Sequence, residues 1–154
     1  MMGANSIFLD TNILIYLTDP ASPWHEIAFS TVQKLRAEPT QLVISYQILR
    51  EFLAVATKIV VTQRKGELED IVVNIQTFRE EFLVLQETDL VFNTLISITN
   101  RVAVAGKQIH DANIVATMYV HGINRLLTHN AKDFARFASY INVIPLVQNV
   151  HLSQ

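Results

Sequence analysis

The chain has 154 residues, half of them apolar and 17% charged, with four glycines, four prolines and no cysteine. That is the size of one domain with a core of its own, and it excludes a disordered or collagen-like chain, a disulfide framework, a thiolate metal site and a cysteine nucleophile. Twelve basic residues against fourteen acidic ones give a net charge of −2, which argues against gripping nucleic acid by bulk charge and leaves a local basic rim or a bound metal to supply positive charge.

No apolar run is long enough to span a membrane, and the N-terminus lacks the pattern of a signal peptide. With no cysteines, the sequence reads as a cytoplasmic protein, a single domain over residues 1–154, with no membrane association. Short apolar runs alternate with helical stretches along the chain. This predicts an α/β fold with a mainly parallel sheet.

Residues 6–10 read as a buried strand and 12–17 as a short helix. Ser22 and Pro23 form an N-cap and first-turn pair for a helix whose core stripe is Trp24, Ile27, Ala28, Thr31 and Leu35. Residues 41–45 are a second strand. Ser45 then caps a helix to about Val61, apolar on two sides and so expected to be buried on two sides. Gly66 breaks the chain before an amphipathic helix from Glu67 to Glu81, which carries Leu68, Ile71, Val72, Ile75 and Phe78. A third strand covers 82–86, a helix runs from Asp89 to about Val104, and another runs from near His110 to Val120, with Gly122 as its stop signal. Residues 125–128 form a fourth strand. Residues 142–145 form a fifth, placed at a sheet edge because it contains Pro145.

In a parallel sheet, ligands bind beyond the carboxyl ends of the strands. Asp10 ends the first strand, and Glu51 lies in the second turn of the helix after strand two. Asp111 opens the helix leading into strand four, and Asn130 and Asp133 follow that strand. Taken singly, each has an ordinary reading as a helix cap, a turn residue or a surface acid paired with Arg50 or Lys58. Together they place four carboxylates and an amide on one rim. Such a cluster repels itself, raises its own pKa values and is relieved by a divalent cation with oxygen ligands. Mg²⁺ or Mn²⁺ between carboxylates suits in-line attack on a phosphodiester.

Four segments carry a resemblance. Residues 7–16 (IFLDTNILIY), 45–51 (SYQILRE), 110–116 (HDANIVA) and 127–134 (LTHNAKDF) resemble, in order and spacing, the motifs of PIN domains and above all VapC-type ribonuclease toxins. The resemblance covers about Ser6 to Pro145. It implies a three-layer α/β/α sandwich, a Mg²⁺- or Mn²⁺-dependent endoribonuclease, a homodimer, and a toxin held inactive by a small cognate antitoxin. It makes Asp10, Glu51 and Asp111 the metal-site acids and places the fourth position on Asn130 or Asp133. Thr11, Asn12 and Thr128 become polar supports. A water attacking the phosphate in line is then expected, with Glu51 or Asp133 accepting its proton.

The RNA must then be held by local cations. The candidates are Arg50, Lys58, Arg64, Lys65, Lys107, Lys132 and Arg136, with Lys107 and Lys132 ranked first because they flank the site loops. Trp24 and Tyr16 are candidate base stackers, although the stripe assigns Trp24 to the core. The five histidines show no metal-ligand spacing, and His129 lies where it could touch phosphate. A phosphatase forming an aspartyl intermediate needs a second acid two residues after Asp10, where this chain has Asn12. The competing reading from another class is a catalytically silent PIN-fold module that binds RNA or protein. The apolar excess on the two helices between Ser45 and Glu81 predicts a face for a protein partner.

Overall fold

A computed structural model describes residues 5–148; His151 lies outside the described residues, as do the ends of the domain read over 1–154. Strand β1 (Ser6–Leu9) is buried at every position and leads into helix α1 (Thr11–Thr18). Helix α2 (His25–Ala37) follows and returns the chain to strand β2 (Gln41–Ser45). Helices α3 (Tyr46–Gln63) and α4 (Leu68–Glu81) connect to strand β3 (Leu83–Leu85). Helices α5 (Asp89–Thr99) and α6 (Gln108–Val120) lead to strand β4 (Arg125–Thr128). The short helix α7 (Ala131–Phe134) and a 3-10 turn (Ala135–Phe137) precede strand β5 (Asn142–Pro145).

The five strands form one sheet in the order β3-β2-β1-β4-β5, and every pairing is parallel. The sheet is therefore wholly rather than mainly parallel, and β5 with Pro145 does lie at an edge. From β1 the chain steps outward to β2 and β3, then crosses back to β4 on the other side of β1. Right-handed crossovers put the helices of the outward steps on one face and those of the return on the other, giving three layers. The packing agrees. Helix α1 packs on α2 and α3, α3 packs on α4, and α5 packs on α6. The reversal makes the gap between the carboxyl ends of β1 and β4 the topological switch point.

Local chemistry sets the boundaries. Ser45 Oγ accepts from Ile48 N–H and starts α3. Helix α6 ends in a Schellman motif: Ile123 N–H donates to Met118 O, Gly122 N–H donates to Tyr119 O, and Gly122 takes the left-handed backbone at φ +71°. Three expectations are corrected. Helix α2 begins at His25, because Ser22 Oγ accepts from Trp24 N–H and Ser22 O from His25 N–H, so Ser22 caps a preliminary turn. Helix α5 stops at Thr99, where Arg101 and Val102 N–H both donate to Ile98 O and tighten the last turn. Helix α3 is buried on two sides only in its first two turns. Leu53, Val55 and Val61 face solvent, as do Leu68, Val72 and Val73 on α4. Among the described residues, no helix is long and apolar enough to cross a membrane.

Candidate active site

The carboxyl ends of β1 and β4 are locked by one hydrogen-bonded knot. Asp10 is buried and caps α1, its Oδ1 accepting from Thr11 N–H at 2.8 Å. Its Oδ2 accepts from Thr128 Oγ1 at 2.7 Å and from Asn12 Nδ2 at 3.3 Å. Thr128 Oγ1 in turn accepts from Asn12 Nδ2 and from Asn130 N–H. Asn12 Oδ1 accepts from His129 N–H at 3.2 Å. The helix-cap reading and the site reading of Asp10 therefore describe one geometry: the cap fixes one oxygen and leaves the carboxylate at the sheet edge.

Glu51 sits one turn and a half into α3. Thr11 Oγ1 donates to its Oε2 at 2.6 Å, and Gln47 Nε2 donates to its Oε1 at 3.0 Å. Arg50, its sequence neighbour, pairs with Glu87 instead. Gln47 is a site residue that the sequence reading left unassigned. It is 2% exposed, donates to His110 O at 2.8 Å and accepts from Asn113 Nδ2 at 2.7 Å. It thereby joins α3 to the first turn of α6, where Asp111 is the fourth residue. Its i, i+4 spacing to Glu51 was the only signal available.

Asp10, Glu51, Asp111 and Asp133 line one open cavity of about 490 Å³, together with Thr11, Asn12 and Asn130. The charges act on one another. Burial raises the Asp10 carboxyl above its usual range, hydrogen bonds from Thr128 and Thr11 pull it back, and the charges of Glu51 and Asp133 raise it again. Burial, followed by the charges of Asp10, Asp133 and Glu51, pushes Asp111 up to about 6, against a smaller lowering by Arg136. Burial and then the charge of Asp10 raise the Tyr16 hydroxyl. Asp133 thus belongs to the cluster electrostatically.

This donor set is all oxygen and self-repelling, which suits a hard divalent cation. It is not a closed shell, since among the described residues no three acid or imidazole side chains gather at metal-binding spacing. Glu51 is turned onto Thr11 and Gln47, and each of its oxygens keeps a second lone pair.

The two cations ranked first lie outside this cavity. Lys107 is exposed at the start of α6, and Lys132 lines a neighbouring space. Arg136 is the cation that acts on Asp111. Trp24 does not join the core: it precedes α2, is half-buried and packs on His129 with ring centroids 4.6 Å apart.

The order of the acidic segments and the strands beneath them define a known family. The PIN domain model matches residues 7–140, and the chain belongs to that family. Ribonuclease VapC48 of Mycobacterium tuberculosis is 28% identical over 130 residues, covering 83% of this chain and 89% of that protein. A toxin-antitoxin complex from Klebsiella pneumoniae contains a chain of the same fold, 25% identical, with a TM-score of 0.62 over 92% of this chain and 98% of that one. VapC20 of Mycobacterium tuberculosis, described as a sarcin-ricin loop cleaving toxin, shares the fold at 21% identity and a TM-score of 0.65, over 90% and 99% of the two chains.

Proposed function

We propose that the chain is a Mg²⁺- or Mn²⁺-dependent endoribonuclease and the toxin of a toxin–antitoxin pair. The observation that carries this reading is the gathering of Asp10, Glu51, Asp111 and Asp133, from four separate segments, around one cavity at the switch point of the sheet. The ribonuclease and toxin names of the similar proteins support it.

Asp10 and Asp111 would hold the cation, with Glu51 as a further ligand, directly or through water. When bound, the cation supplies charge stabilisation on the phosphate and acidifies water. The chain's own residues do the rest. Thr128, Asn12 and the Thr11 amide hold Asp10 in one orientation. Thr11 and Gln47 hold Glu51. Glu51 or Asp133 takes the proton of the attacking water as its oxygen bonds to phosphorus. The bond from phosphorus to the 3′ oxygen breaks, the 3′ oxygen takes a proton from solvent, and 5′-phosphate and 3′-hydroxyl ends result.

The partner is a small antitoxin. Its docking place is the cavity of about 340 Å³ between α1, α3 and α4, lined by Ile15, Phe52, Ala56, Ile59, Val60 and Ile71 together with the charged Asp19, Lys65, Glu67 and Asp70. The exposed apolar residues of α3 and α4 beside it extend the surface for an amphipathic segment and for a second copy of the chain.

The test is cleavage of total RNA with Mg²⁺, with Mn²⁺ and with EDTA, beside the Asp10→Asn variant. Discrete fragments that require both metal and Asp10 are expected. An Asp10→Asn protein that cuts as fast as the parent overturns the metal-site assignment. No cleavage and no Mn²⁺-induced rise in Tm would make the chain a silent binding module.

A further inference from the structure

A second cavity, of about 580 Å³, opens beside the carboxylate cavity. Trp24, His129, Asn130, Lys132 and Asp133 line it, and Asn130 and Asp133 line both spaces. The two cavities are therefore neighbours across the start of α7. The volume is that of an ordinary small-molecule pocket.

Its wall is aromatic. Trp24 lies against His129 with their planes tilted by 43°, and Tyr16 meets His129 edge-on at 5.5 Å. The backbone of His129 is tied to Asn12, and Asn12 to Asp10, so this wall is keyed to the carboxylate that anchors the first cavity. His129 Nδ1 is shut off from solvent and has no hydrogen-bond partner among the described residues. Lys132 stands exposed at the cavity and makes no ion pair among the described residues.

An aromatic wall and a free ammonium group beside a phosphodiester-cutting centre match an unpaired nucleotide: a flat base with a phosphate attached. We propose that this second cavity is a nucleotide subsite of the RNA substrate, in which a base stacks on the Trp24 and His129 wall and Lys132 takes the adjoining phosphate. The proposal rests on the ribonuclease reading and adds to it how substrate is selected. Single-stranded segments fit, because a base held in a duplex has no free face to offer the wall.

Trp24 is the only tryptophan in the chain, so its fluorescence reports from this wall alone. The experiment uses the full chain carrying Asp10→Asn, so that RNA is bound but not cut. The probes are single-stranded RNA hexamers of random sequence and an abasic hexamer of the same length. The hexamers are expected to quench Trp24 emission and the abasic strand to leave it unchanged. By anisotropy of labelled hexamer, Trp24→Leu should bind roughly tenfold or more weakly, and Trp24→Phe should recover most of the loss. Lys132→Gln should reduce the salt dependence of binding by about 0.7 in log–log slope, the share of one phosphate contact on a single strand. Hexamer binding with unchanged Trp24 emission and with full affinity in Trp24→Leu overturns the subsite and leaves the ribonuclease reading intact. If Trp24→Leu does not fold, the quenching measured with Trp24 in place still decides. No RNA cleavage by the parent with Mn²⁺, together with no hexamer binding, overturns both readings.

Discussion

Replacing Asp111 by asparagine should make the metal-free protein more stable at pH 8 and leave it unchanged at pH 4. Burial and three neighbouring carboxylates push Asp111 from its usual 3.8 to about 6. A raised carboxyl pKa means that the folded chain holds the proton more tightly than the unfolded one. The stability this contributes is fully present below about pH 4 and is lost as pH rises through about 6. Two pKa units correspond to ~3 kcal/mol. Asp111 is only half-buried, and solvent screening reduces that to about 1 kcal/mol. Asparagine carries no charge to penalise, so in EDTA at pH 8 the variant should melt about 2–4 °C above the parent. At pH 4, where Asp111 is itself neutral, the two should coincide. Saturating Mn²⁺ should reverse the order at pH 8, because a cation at 100 times its Kd adds ~2.7 kcal/mol to a chain that binds it. Thermal unfolding followed by circular dichroism at both pH values, with EDTA and with Mn²⁺, measures all four corners. A variant no more stable than the parent at pH 8 in EDTA would refute the mutual repulsion on which the site rests.

Gln47→Leu strands His110 O and the Asn113 amide and frees Glu51. It should cost roughly 2–3 kcal/mol in urea unfolding, and it should lower cleavage further than that loss of folded protein explains. Ser45→Ala removes the cap of α3 and should cost about 1 kcal/mol in the same assay, with cleavage unaffected once the protein is folded. Arg64 ends α3 in the left-handed region at φ +51°, so Arg64→Gly should stabilise the chain by about 0.5–1 kcal/mol in urea.

Strands β2, β4 and β5 have the boundaries that the sequence predicts, because each is a compact apolar run closed by a cap, turn or proline. The rim at the carboxyl ends was legible for the same reason: the position of Asp10, Glu51, Asp111 and Asp133 relative to strand and helix ends follows from local pattern. The neighbour relation of β1 and β4 was not legible, since strand order is a long-range property that periodicity does not encode. Helix α5 was overextended because Val102 and Val104 keep packing on the core after the helical backbone has ended. Trp24 fell on a helical stripe in projection, but it precedes the helix, so the stripe did not apply to it. Gln47 was missed because a single glutamine on an apolar helix face has no signature until its partners on α6 are seen. The apolar excess on α3 and α4 was read correctly as surplus, but the burial of α3 on two sides was not, since hydrophobicity alone does not distinguish a core contact from an exposed apolar face.

The knot between Asp10 and Thr128 spans 118 positions of the chain. During synthesis, β1 and its carboxylate emerge well before the strand that seats them, and Asp133 follows that strand. A nascent or truncated product that stops before β4 carries three of the four acids and lacks the neighbour that orients the first. The acidic cluster therefore closes only once β4 and Asp133 have joined β1.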